Sequence, residues 1–152
     1  MNGILPRRRW LIMTAAATAA GGLAGRPARA DATPEAEAEL KRLIAGRTPR
    51  PGVVKLDMPA IAENGLVVPL NVDADSPMTE ADHVKAIHIV ADGNPNPLVA
   101  TFRFTPASGR ASASTRIRLA QTQNVIALAE LSNGELYMAR TEVKVTIGGC
   151  GG

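Results

Sequence analysis

Cys150 is the only cysteine in the 152 residues, set in the run Ile147-Gly148-Gly149-Cys150-Gly151-Gly152. A structural cysteine normally behaves as a small buried hydrophobe. Here Gly148, Gly149, Gly151 and Gly152 have no side chains with which to bury it. Glycine also resists ordering more than any other residue. The run is therefore expected to form a flexible arm with a thiol near its tip. At ~3.3–3.6 Å per residue, such an arm reaches roughly 10 Å or more beyond the last structured position. A thiol with a pKa of about 8.5 needs a nearby cation, a histidine or a helix N-terminus to become a reactive thiolate. The residues around Cys150 supply none of these, and a terminal carboxylate two residues on disfavours the thiolate. A self-contained cysteine enzyme does not fit this pattern. A tether that presents its thiol to the active sites of other proteins does.

The remaining residues offer little competing chemistry. His83 and His88 are the only histidines. Five residues apart on a strand, they are expected on opposite faces and so unable to grip one metal together. Asp73, Asp75, Glu80 and Asp82 crowd one turn region. A calcium loop requires a denser set of oxygen ligands and a suitably placed glycine, so a solvated turn is the reading. No serine sits in a nucleophile elbow, and no glycine-rich loop joins a strand to a helix. Arg103, Arg116 and Arg118 fall on outward strand positions and read as solvated charge. No catalytic, cofactor-binding or metal-binding residue is expected on the chain, which leaves Cys150 alone as its chemical site.

An arm needs a rigid body to carry it. Thr33-Pro34-Glu35 opens a short helix: Thr33 can cap it, Pro34 suits its first position, and Glu35 and Glu37 favour the positive end of its dipole. Ala36, Leu40, Leu43 and Ile44 recur at helical spacing, and Gly46 is expected to stop the helix. This apolar stripe is expected to pack on the domain or on a partner. From Val53 onward the period becomes two. Val68, Leu70 and Val72 alternate with Pro69, Asn71 and Asp73, and Val143, Val145 and Ile147 alternate with Glu142, Lys144 and Thr146. Such alternation marks half-buried antiparallel strands. Val84–Ala91 and Val125–Leu131 are apolar on both faces, as central or interface-covered strands would be. Glu63-Asn64-Gly65, Gly93-Asn94-Pro95-Asn96-Pro97 and Ser132-Asn133-Gly134 are among the turns between them. About seven short strands with regular turns predict an all-β, immunoglobulin-like antiparallel β-sandwich with a short N-terminal helix. Pro69 predicts an edge strand or a bulge. With only 3% aromatic residues, the core must be built from Val, Ile, Leu and Ala. Any two-faced strand left uncovered would form a partner surface, and the isolated chain is expected to be poorly stable.

The first 30 residues read as an address rather than as fold. Arg7-Arg8-Arg9-Trp10-Leu11 precedes an apolar, alanine-rich stretch from Ile12 to Leu23, and Ala28-Arg29-Ala30 resembles a cleavage site. The stretch is too short to span ~30 Å of hydrocarbon as a helix. The paired arginines with an aromatic residue following resemble a twin-arginine export signal. The expected organisation is a signal peptide over 1–30, a domain over 31–147 and an arm over 148–152. Five of the 17 basic residues precede Asp31, whereas all 14 acidic residues lie at or after it. The exported chain thus carries 12 basic against 14 acidic residues, a net charge near −2. The basic character of the whole belongs to the leader and is no argument for nucleic-acid binding. Export to an oxidising compartment with one cysteine points to an intermolecular bond or a reactive thiol.

Several stretches resemble the SoxY family, the sulfur carriers of the bacterial thiosulfate-oxidising Sox system. They are Pro59 to Pro69 (PAIAENGLVVP), Asp75 to Thr79 (DSPMT), Asn94 to Pro97 (NPNP), Thr115 to Leu119 (TRIRL) and Lys144 to Gly152 (KVTIGGCGG). The resemblance implies an immunoglobulin-like fold in a heterodimer with a second β-sandwich subunit of the SoxZ type. It also implies a periplasmic location after twin-arginine export, with no membrane attachment. Cys150 would be the site of covalent attachment for thiosulfate-derived sulfur, and Gly148, Gly149, Gly151 and Gly152 the arm. Oxidation, hydrolysis and dehydrogenation would belong to partners: a haem c protein pair, a dimanganese thiol hydrolase and a molybdenum–haem sulfane dehydrogenase. No cofactor is implied on this chain. Two other readings are distinguishable. A ubiquitin-like sulfur carrier would use a Gly-Gly thiocarboxylate, which an exported protein could not form by ATP-dependent adenylation. A non-catalytic interaction module would keep its function with Cys150 capped.

Overall fold

The computed structural model describes residues 31–148; residues 1–30, where a signal peptide is expected, and positions 149–152, Cys150 among them, lie outside the described residues. Helix α1 (Pro34–Ile44) begins as its sequence requires. The Thr33 hydroxyl accepts from the Ala36 N–H at 3.2 Å, with Pro34 in the first turn. The stop comes one residue before Gly46. Ala45 already takes a left-handed conformation (φ 49°) and Gly46 follows it (φ 77°). Arg47 then caps the helix, its guanidinium donating to the carbonyls of Leu43 and Ile44 at 3.1 Å each.

Eight strands follow: β1 (Val54–Asp57), β2 (Ile61–Asn64), β3 (Val68–Ala74), β4 (Val84–Ala91), β5 (Leu98–Arg103), β6 (Ala111–Ile117), β7 (Gln123–Leu131) and β8 (Leu136–Ile147). They form a three-stranded sheet in the order β1-β3-β6 and a five-stranded sheet in the order β2-β8-β7-β4-β5. The two sheets face one another across a core of Val, Ile, Leu, Ala and Met78. One pairing departs from the antiparallel expectation: β2 runs parallel to β8, with Ala62 opposite Val145 and Asn64 opposite Ile147. Parallel neighbours cannot be joined by a tight turn, so they come from distant parts of the chain. Their pairing is therefore invisible to local turn signals.

Pro69 sits in β3, the middle strand of its sheet, rather than in an edge strand or at a bulge. It is tolerated because β1 ends at Asp57, opposite Asn71. At Pro69 only β6 lies alongside, through Arg116, so the missing N–H leaves no ladder bond unmade on the open side.

The two-faced apolar strands are covered by this chain itself. Ile87, Ile89, Ala91, Val125 and Ala127 point into the space between the sheets. On the opposite face Val90, Ile126 and Leu128 are also fully buried. Helix α1 lies over this second face: Ala36 is fully buried, the Thr33 N–H donates to the Asp92 carbonyl at 2.9 Å, and Arg47 reaches Glu130 at 3.3 Å. The large sheet is thus sandwiched between the small sheet and the helix. Of the two coverings the sequence left open for β4 and β7, the structure shows the central one, with the helix packed on its own domain. Among the described residues no helix is long and apolar enough to cross a membrane.

Candidate functional site

Of the arm residues singled out by sequence, Gly148 is described; Gly149, Cys150, Gly151 and Gly152 lie outside the described residues. What the structure places is the end of β8 and Gly148, which lead in sequence to those positions. The Gly65 N–H donates to the Ile147 carbonyl at 2.8 Å, and the Gly65 carbonyl accepts from the Leu119 N–H at 2.8 Å. Gly65, in the turn after β2, therefore ties the end of β8 to the loop between β6 and β7. Gly148 rests directly on that loop: a Cβ built there would collide with the Ala120 carbonyl oxygen. Glycine is required at 148 for close backbone approach, a role separate from chain flexibility.

The Ala120 loop is held by a buried polar network. Asn94, from the turn after β4, donates to the Arg118 carbonyl at 2.8 Å and accepts from the Ala120 N–H at 2.9 Å. Gln123 donates to the same Asn94 oxygen at 2.8 Å, and its own oxygen accepts from the Gly93 N–H at 2.7 Å. Next to it, the Asp92 carboxylate accepts from both the backbone and the side-chain amide of Asn124, at 2.8 Å each. Asp92, Asn94, Gln123 and Asn124 are the buried polar residues of the domain. Each finds partners, as burial demands. The contacts linking Gly148, Ala120, Asn94 and Gln123 hold Gly148 in a defined place. Sequence reading found Asn94 only as a turn residue and missed Gln123 and Asp92. The signal available for Asn94 was the Asn-Pro-Asn-Pro run; for Gln123 and Asp92 there was none.

A second concave feature lies between helix α1 and the outer face of β4 and β5. It is an open cleft of about 580 Å³ whose lining includes Arg42, Arg47, His83, Lys85, His88 and Arg103. The two histidines share this cleft, contrary to the expectation of opposite faces. The reason is a bulge: the β4–β7 register shifts between Val84 and Ala86. One extra residue inverts the alternation that follows it. The cations are largely engaged. Arg42 pairs with Glu39, which holds the Glu39 carboxyl below its usual range, and Arg47 and Lys85 both approach Glu130. His88 is half-buried with its Nδ1 3.1 Å from the Thr101 hydroxyl, and burial above all pushes its pKa down. Arg116 and Arg118 are exposed, and the turn region of Asp75 and Glu80 is solvated. Among the described residues no three His, Cys, Asp or Glu side chains gather to hold a metal ion.

The fold is a two-sheet, immunoglobulin-like sandwich whose last strand, β8, leads in sequence through Gly148 to the single cysteine, Cys150. Comparison with family models matches residues 40–150 to "Sulfur oxidation protein SoxY". The SoxY sulfur carrier protein of Chlorobium limicola f. thiosulfatophilum is similar in structure, with 32% identity and a TM-score of 0.58 over 73% of this chain and 99% of that one. The chain belongs to the SoxY family. Superoxide reductases (neelaredoxins) share the fold alone. A variant of the Ignicoccus hospitalis enzyme is 17% identical at a TM-score of 0.56, over 67% of this chain and 85% of that one. A putative superoxide reductase of Thermotoga maritima is 18% identical at 0.52, over 65% and 88%. No curated protein matches the chain.

Proposed function

We propose that this chain carries sulfur intermediates of thiosulfate oxidation as covalent adducts of Cys150 and presents them to separate enzymes. The observation that carries this reading is the Gly-Gly-Cys-Gly-Gly run, which follows the last strand directly and whose cysteine falls within the family match to residue 150. Loading forms one S–S bond. The Cys150 thiol and thiosulfate join as a thiosulfonate, releasing one proton and two electrons to the haem c partner. Hydrolysis by the dimanganese partner then adds water, releases sulfate and a proton, and leaves a persulfide on Cys150. A sulfane dehydrogenase oxidises that remaining sulfur. The carrier contributes attachment and positioning, and the bond-breaking groups belong to the partners. A second β-sandwich subunit of the SoxZ type completes the heterodimer, and the leader directs export to the periplasm by the twin-arginine route.

Intact mass spectrometry tests the attachment. With thiosulfate and the haem c partner, the chain should gain the mass of a thiosulfonate, and a reducing thiol should remove it. Cys150→Ser should retain its partners yet show neither adduct nor turnover. Full turnover by that variant would rule out the carrier reading.

A further inference from the structure

The exit of the arm restricts which surface can meet a receiving enzyme. Gly148 is set against the Ala120 carbonyl, and Asn94 and Gly65 hold the loop and the strand end around it. Gly148 is thus the last residue that these contacts hold in place. Cys150 lies two residues further on, a span of at most about 7 Å. An active site that takes in this thiol must bring its entrance to the residues surrounding Gly148.

Those residues are unusually apolar for a surface. Among the described residues the exposed large hydrophobics are Ile61, Leu66, Val67 and Ile147. Three of them surround the exit. Ile147 is the last residue of β8 and is 68% exposed; Leu66 and Val67 follow Gly65 and are 43% and 59% exposed. Gly65 is bonded both to Ile147 and to Leu119, and the Leu66 N–H donates to the Asn64 side chain at 2.9 Å. The turn is thus pinned, and its two apolar side chains cannot be withdrawn into the core. Exposed apolar groups gathered at one place mark interaction sites.

We infer that Leu66, Val67 and Ile147 form a docking collar that seats the apolar lip of the active-site entrance in the enzymes that receive Cys150. The inference rests on the carrier reading and adds the surface through which successive enzymes engage. A short arm and a shared collar make these enzymes compete for one carrier face, so each must release before the next docks.

The test uses the complete chain, co-purified with its second subunit and bearing the thiosulfonate on Cys150. Sulfate release by the dimanganese thiol hydrolase is followed against carrier concentration. Leu66→Asp with Val67→Asp should raise KM at least tenfold while kcat at saturation is kept; Leu66→Met with Val67→Ile should restore the parental KM. Before loading, alkylation of the reduced Cys150 thiol by iodoacetamide should proceed at the parental rate in every variant. An unchanged KM in the double aspartate variant would overturn the collar. Loss of co-purification with the second subunit, or of a self-association present in the parent, would assign the patch to that interface instead and would equally overturn it. Turnover that survives Cys150→Ser would remove the carrier reading itself, whereas loss of turnover there beside an unchanged KM in the aspartate variant removes the collar alone.

Discussion

A single methyl group at position 148 separates two roles that glycine can play two residues before a cysteine. Freedom of φ and ψ would make Gly148 one unit of a soft tether, but its contact with the Ala120 carbonyl makes it a seat. Gly148→Ala should therefore shift the Ala120 loop or the strand end, at a cost of about 1–3 kcal/mol as for other overpacked sites. Urea unfolding measures the loss; an unchanged midpoint would mean that the exit relaxes freely. His88 provides the second prediction at this scale. Burial, reinforced by Arg103 and Arg42 and opposed by Glu130 and Glu39, depresses its folded pKa below the ordinary 6.5. Between that depressed value and the ordinary one the unfolded chain binds more protons than the folded one, so stability rises with pH across the window and falls as acid is added. His88→Gln should flatten the dependence of unfolding free energy on pH below neutrality. If the slope persists in that variant, the burial of His88 is not its source.

At the scale of elements, β7 is the strand on which the layers meet. It is buried toward the small sheet through Val125, Ala127 and Ala129, and on the outer face, where helix α1 lies over the neighbouring β4, through Ile126 and Leu128. Ile89→Ala tests the first layer and Ile126→Ala the second. Because both side chains are fully buried, each should cost about 2–5 kcal/mol. A loss near zero for Ile126→Ala, with the full loss for Ile89→Ala, would show that the helix does not cover that face in solution. Runs of apolar residues on both faces were legible in β4 and β7. What covered the outer face was not, because an amphipathic helix has the same pattern whether it packs on its own domain or on another chain. Pro69 shows the same limit, since the sequence marks a strand short of a donor but not where its neighbour β1 stops.

At the scale of the whole molecule, charge and address separate into two parts of the chain. Five of the 17 basic residues lie in residues 1–30, which hold no acidic residue. The proposed twin-arginine reading of residues 1–30 predicts export of the folded chain together with its proposed partner subunit. Replacing Arg7 and Arg8 together by Lys should leave an unprocessed precursor in the cytoplasm, as detected by fractionation. Normal processing of that variant would direct attention to a general secretory route.

The sequence by itself determined the two-period strands, the capped helix and the isolation of one cysteine between glycines, because each depends on residues close together in the chain. Cap chemistry, alternation and missing Cβ atoms act over one to four positions. The tertiary structure decided what depends on residues far apart. It set β2 parallel to β8, placed helix α1 over the large sheet and, through a one-residue bulge, brought His83 and His88 to one cleft. It also gave the Asn94 and Gln123 side chains their partners in the loop under Gly148, 24 to 29 residues away in the chain for Asn94. Buried polar groups must be satisfied by whatever the fold brings to them. The seat of Gly148 is therefore specified by packing among distant segments, which no local pattern of residue types encodes.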